Sequence, residues 1–166
     1  MAEIALKGNP IHTLADLPAI GSSTPDFTLT KMDLSEIFLS DFTGIKLVLN
    51  IFPSIDTSVC AASVRKFNAE AGSLDNTVVL CISKDLPFAL KRFCGSEGLE
   101  DVISVSGFRN NNFGEGYGIQ MIDGPLKGLY GRAVVVVGED GKVTYTELVP
   151  EIGQEPNYEA ALAAVK

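Results

Sequence analysis

The sequence predicts an α/β fold built on a mixed central sheet. Three observations carry this. Two nearly continuous apolar runs, 45-IKLVLNIF-52 and 77-TVVLCIS-83, are each followed by a helix-like segment, and a late stretch, 132-RAVVVVGEDGKVTYTELV-149, places two β-rich runs around a turn. A strand that is apolar at successive positions is covered on both faces, so layers must lie above and below the sheet. Strands alternating with helices imply parallel pairing through right-handed crossovers.

In chain order, 3-EIAL-6 and 11-IHTL-14 read as a small hairpin with 8-GNP-10 as its turn. The segments 27-FTLTK-31 and 36-EIFLS-40 alternate apolar and polar residues, as half-exposed strands do. After the buried strand 45–52, a helix over 58–71 sets Cys60, Val64, Phe67 and Ala71 on one apolar stripe. Next come strand 77–83, a short helix 86-LPFALKRFC-94 and strand 101-DVISVS-106. The 132–149 stretch is an antiparallel hairpin turning at 138-GEDG-141, and 156-PNYEAALAAVK-166 closes as a helix. A βαβαβ unit followed by ββα is a thioredoxin-like layout, here with an extra N-terminal β-hairpin. No repeat, low-complexity tract or linker divides the chain, so residues 1–166 read as a single domain.

Composition narrows the classes of function. A net charge of −8 and a pI near 4.6 repel phosphate backbones and anionic headgroups, so neither nucleic acid nor a membrane is expected as a partner. The segment 1-MAEIALKGNP-10 lacks the basic region and apolar core of a secretory signal, which gives a cytoplasmic expectation. Cys60, Cys81 and Cys94 are too few for a disulfide scaffold and lack the spacing of zinc ligands.

The stretch 50-NIFPSIDTSVCAASVRKF-67 concentrates the chemistry. With Thr57 or Ser58 as helix cap, Cys60 falls in the first turn, where free N–H groups and the helix dipole favour an anion. The apolar stripe, however, turns its sulfur toward the core, where desolvation favours the neutral thiol unless a cation is near. On position alone a packing cysteine is the ordinary reading. There is no C-x-x-C for dithiol exchange, and the only histidine, His12, lies in the N-terminal hairpin, so a Cys/His pair is weak. Cys81, inside VVLCI, reads as core.

Pro53, Thr57 and Cys60 form P-x-x-x-T-x-x-C after a buried strand, which resembles the peroxidatic motif of peroxiredoxins. The stretches 49-LNIFPSIDTSVCAASVRKFN-68, 77-TVVLCISKDLPFALKRFCGSEGL-99 and 124-GPLKGLYGRAVVVV-137 are similar to the bacterial thiol peroxidases, the atypical two-cysteine branch of that family, and the similarity runs over almost the whole chain. This resemblance implies a thiol-dependent peroxidase acting on hydrogen peroxide or organic hydroperoxides, without metal, haem or flavin. Cys60 matches the peroxidatic cysteine and Thr57 the family threonine. Pro53 matches the proline that shields the pocket, and Arg132 the arginine that holds the thiolate. Cys94 matches the resolving cysteine, which closes an intramolecular disulfide that thioredoxin reduces; a homodimer is also implied. Gly95 reads as a C-cap placing Cys94 at a helix end, where the dipole disfavours a thiolate. A nine-residue helix is roughly 13 Å long, so the two sulfurs are expected apart until a segment unwinds. Two alternatives remain from the sequence: a peroxide-sensing relay that passes its disulfide to a partner, and a non-catalytic binding module on the same fold.

Overall fold

The computed structural model describes residues 1–166. A hairpin of β1 (Glu3–Leu6) and β2 (Asn9–His12) stands apart from a seven-stranded sheet. The sheet contains β3 (Thr28–Lys31), β4 (Glu36–Phe38), β5 (Lys46–Ile51), β6 (Thr77–Ser83), β7 (Ile103–Ser106), β8 (Ala133–Val137) and β9 (Val143–Leu148), in the order β4-β3-β7-β6-β5-β8-β9. The central β7-β6-β5 strands are parallel, and antiparallel pairs extend the sheet at both edges. Helices α1 (Ser58–Ala71), α2 (Pro87–Glu97), α3 (Asn112–Gly116) and α4 (Tyr158–Ala163) complete the chain. This is the expected thioredoxin-like fold with its N-terminal hairpin. No helix is long and apolar enough to cross a membrane.

Side-chain alternation explains the layers. In β5, Leu47, Leu49 and Ile51 join one core with Phe27, Phe113 and Tyr130. Val48 and the following Phe52 join the other, which receives Val64 and Phe67 of α1, Leu90 of α2 and Ala161 of α4. The predicted stripe of α1 is buried at all four positions. Each large apolar side chain taken out of water there stabilises the fold by about 1.5–3 kcal/mol.

Four local expectations need correction. The first hairpin turns at Lys7-Gly8 and not over 8-GNP-10: both residues have positive φ, 52° and 80°, and Asn9 and Pro10 already pair with Leu6 and Ala5. That turn suits a two-residue hairpin because its twist matches the strands. Strand 36–40 stops at Phe38, and a 3-10 turn over Leu39–Phe42 follows, closed by the Asp41 carboxylate accepting from Phe38 N–H at 2.9 Å. Helix α2 runs through Gly95 and ends at Glu97, since Gly98, at φ 67°, takes the left-handed cap. There the Cys94 carbonyl accepts from the N–H groups of Gly98 and, at 3.0 Å, Leu99. Finally, α3 was not expected from the sequence: its 112-NFGEG-116 stretch is short and holds two glycines.

Candidate active site

Register brings the site together. In the β5/β8 pair Ile51 lies opposite Ala133, so Arg132, just before β8, meets the chain as β5 gives way to the Pro53–Thr57 loop. In the β5/β6 pair Ile51 lies opposite Ile82, which sets 83-SKD-85 along the other side of that loop. The loop leads into α1, whose N-cap is Thr57, at φ −101° and ψ 146°. Cys60 sits in the first turn, and the N–H groups of Ser58, Val59 and Cys60 precede the first intrahelical bond, from Ala61 N–H to Thr57 O at 3.0 Å.

The sulfur of Cys60 is completely buried, and Arg132 Nη2 donates to it at 3.3 Å. Arg132 is itself only 2 % exposed. Its Nε donates to the Ile152 carbonyl at 2.9 Å, while Nη1 is buried without a partner. None of the ion pairs in the protein involves Arg132. A buried guanidinium without a counter-ion costs several kcal/mol. The group offered to it here is the sulfur of Cys60, and a thiolate is the state that offsets the cost.

Next to this pair is a cavity of about 280 Å³, lined mainly by apolar groups that include Leu6, Val59, Leu126, Leu129 and Ile152, together with Pro53, Thr57 and Arg132. Pro53 is buried. Thr57 is exposed, and its hydroxyl donates to the Ser54 carbonyl at 3.1 Å, so its single proton is not directed at the sulfur. The lone pairs of that hydroxyl stay free to accept.

Cys94 occupies a different setting. It lies one turn from the C-terminal end of α2, 5 % exposed, with Sγ 3.2 Å from Ser104 Oγ on β7. Burial pushes this thiol up, and the hydrogen bond with Ser104 opposes it only in part. All three cysteines are free. Cys81 is fully buried, with its thiol pushed up to about 12 by desolvation, consistent with a core residue. His12 is occupied elsewhere: Nδ1 lies 2.7 Å from Asp123 Oδ2, and that hydrogen bond raises its pKa. No group of three or more His, Cys, Asp or Glu side chains is arranged to hold a metal ion.

The redoxin family pattern matches residues 19–162. Thiol peroxidases of Mycobacterium tuberculosis and Mycobacterium bovis are each 60% identical to this chain over 165 residues, covering 99% of both chains. The thiol peroxidase of Corynebacterium glutamicum is 58% identical with the same coverage. The chain belongs to the thiol peroxidase family. Among solved structures, a peroxiredoxin-like protein from Aquifex aeolicus superposes with a TM-score of 0.94 at 36% identity, covering 99% of this chain and 96% of that one. A thiol peroxidase from Chromobacterium violaceum shares the fold, with a TM-score of 0.87 at 20% identity and 95% and 91% coverage.

One residue of this thiol peroxidase site escaped the sequence reading. The Asp85 carboxylate accepts from Ser54 Oγ at 2.8 Å, from Ile55 N–H at 2.7 Å and from Ser83 Oγ at 2.7 Å. Its own carbonyl accepts from Ser106 Oγ at the end of β7. Asp85 thus clasps the loop that delivers Thr57 and Cys60 to two strand ends. A Ser-x-Asp after a buried strand is the only local signal, and it reads as an ordinary turn.

Proposed function

We propose that this chain reduces hydroperoxides through Cys60, resolves the product through Cys94 and is recycled by thioredoxin. The observation that carries the proposal is the Arg132 Nη2 donation to Cys60 Sγ at 3.3 Å, made by a buried cation whose Nη1 is still unpartnered. The Cys60 thiolate attacks the terminal oxygen of the peroxide: an S–O bond forms, the O–O bond breaks, and the alkoxide or hydroxide leaves and is protonated. Arg132 stabilises the negative charge as it moves from sulfur to the leaving oxygen. The Thr57 hydroxyl accepts from the hydroperoxide O–H and orients it, and Pro53 keeps bulk water out. The apolar walls of the cavity support organic hydroperoxides as substrates alongside hydrogen peroxide.

In the second step the Cys94 thiol condenses with the Cys60 sulfenic acid, releasing water and closing an intramolecular disulfide. This step breaks the contacts that Arg132 and Ser104 make with the two sulfurs, and we assign it to a local opening of the first turn of α1, the last turn of α2, or both. Thioredoxin then supplies two electrons by thiol–disulfide exchange. We assign the whole cycle to one domain, residues 1–166, working in the cytoplasm as a homodimer. A coupled assay with hydrogen peroxide, cumene hydroperoxide and thioredoxin tests this. Catalytic consumption of reductant is expected; a single stoichiometric oxidation would make the chain a relay, and no reaction would leave a binding module.

A further inference from the structure

The helix-facing side of the central sheet carries a polar row that an apolar core does not need. Asn50 on β5 lies directly opposite Cys81 on β6, and Cys81 directly opposite Ser104 on β7. All three are buried. Each end of the row reaches up to one of the helices that bear a reacting cysteine. Ser104 Oγ is 3.2 Å from Cys94 Sγ. At the other end Asn50 Nδ2 donates to Ser63 Oγ at 3.2 Å, and Ser63 Oγ donates to the Cys60 carbonyl at 2.8 Å. Asn50 Nδ2 also reaches Cys81 Sγ at 3.7 Å, and Ser104 joins the row through its register with Cys81.

Proton counting gives this chain a direction. A serine hydroxyl has one proton, and that of Ser63 goes to the Cys60 carbonyl, so Ser63 must accept from Asn50. The amide therefore presents its NH₂ to both Ser63 and Cys81, and its Oδ1 is left buried and unpartnered. An unpaired buried oxygen destabilises the fold. A leucine at position 50 would avoid that cost, so the row needs a reason other than core stability.

We propose that Asn50, Ser63 and Ser104 form a latch that holds the Cys60 and Cys94 turns closed against the sheet and sets how fast they open for disulfide formation. The proposal rests on the two-cysteine cycle given above. These are positioning residues and none touches the peroxide. The latch acts at a branch point. A closed Cys60 sulfenic acid either waits for opening, condenses with Cys94 and loses water, or meets a second peroxide, which oxidises it to sulfinic acid and leaves as water or alcohol. A tighter latch favours the second outcome and a looser one the first.

The test follows both branches in full-length protein carrying Ser63→Ala, Ser104→Ala or both. Stopped-flow fluorescence or quenched mass spectrometry gives the rate of peroxide consumption and the rate of disulfide closure, and mass spectrometry gives the sulfinic fraction across a hydrogen peroxide series. Each single variant should close the disulfide about fivefold faster, the factor one buried hydrogen bond of ordinary strength represents, with the bimolecular peroxide step unchanged. The peroxide concentration giving half sulfinic acid should rise by the same factor, and the double variant should exceed either single one. Amide exchange in the reduced protein should quicken at 60–64 in Ser63→Ala and at 94–98 in Ser104→Ala. Asn50→Leu, which keeps the branched outline at a larger volume and removes both donations, should match Ser63→Ala in closure rate, with global stability measured alongside to separate overpacking from loss of the latch. If closure rate, sulfinic fraction and local exchange are unchanged in the single variants while wild-type protein forms its Cys60-to-Cys94 disulfide, the latch is refuted and the cycle stands. If wild-type protein never forms that disulfide, both fall.

Discussion

Cys60 and Cys94 are the same residue in the same core layer, almost equally hidden from water, yet their surroundings are electrically opposite. Cys60 lies in the first turn of a 14-residue helix with a guanidinium on its sulfur. Cys94 lies near the far end of an 11-residue helix, with a neutral hydroxyl beside it and burial pushing its thiol up. Burial alone would leave both as inert packing residues. The difference teaches that helix polarity and one long-range cation can set two equally buried thiols apart: one sulfur faces a guanidinium at a helix start, and the other, near a helix end, is held protonated by burial.

The most severe way to break the contrast is to remove the sulfur proposed to attack the peroxide. Cys60→Ser should bring peroxide consumption to background, whereas Cys81→Ser should keep most of it, as measured in the coupled thioredoxin assay. Next in size is Arg132→Met, which takes away the cation and leaves the shape. Its peroxide rate constant should fall about a hundredfold or more, the range seen when a donor to developing negative charge is deleted. Iodoacetamide alkylation of Cys60 at neutral pH should slow with it; an unchanged alkylation rate would show that arginine is a bystander.

Asp85→Asn should have a smaller effect. Replacing one acceptor oxygen by an amide sets donor against donor among Ser54, Ile55 and Ser83, loosening the loop before Cys60. A loss of about 1–3 kcal/mol in urea unfolding, with about a tenfold drop in peroxide rate, is expected. The least disruptive probe is alkaline pH. Cys81 and Cys94 are held protonated by burial, Cys81 up to about 12 from an ordinary value of 9.0, so the folded chain keeps protons that the unfolded chain loses. Stability should therefore be intact below pH 9 and fall as pH rises from there toward 12, by at most about 1.4 kcal/mol per pH unit per thiol. Denaturation curves of Cys81→Ala should show a shallower fall across that window.

Much of this architecture was legible in the sequence because it rests on short-range patterns. Apolar runs marked β5, β6 and β8, and the one-stripe spacing of Cys60, Val64, Phe67 and Ala71 marked the buried face of α1. The P-x-x-x-T-x-x-C spacing singled out Cys60 and its loop. Arg132 came only from family resemblance, because its place beside Cys60 depends on strand register across 72 residues of chain. Asp85 was missed for the same reason: its value lies in meeting Ser54 and Ile55 from another strand. The sequence reading stops α2 at Gly95, whereas the helix runs on to Glu97 and is capped by Gly98. Local sequence does not show that the left-handed conformation at Gly98 satisfies the Cys94 carbonyl twice, and that is what moves the stop.

The apolar cavity that Arg132 shares with Pro53 and Thr57 also bears on chemical probe design. Its walls of Leu6, Val59, Leu126, Leu129 and Ile152 can grip a hydrocarbon tail, whereas the sulfur itself is out of reach of any bulky head group. A covalent probe for this protein should therefore draw its affinity from the tail and carry a small electrophile at the tip, directed past Arg132, whose Nη2 lies 3.3 Å from the Cys60 sulfur. Selectivity for Cys60 would come from the tail, because Cys94 lines a separate surface cavity with Met32, Lys91 and Leu99 that lacks those apolar walls.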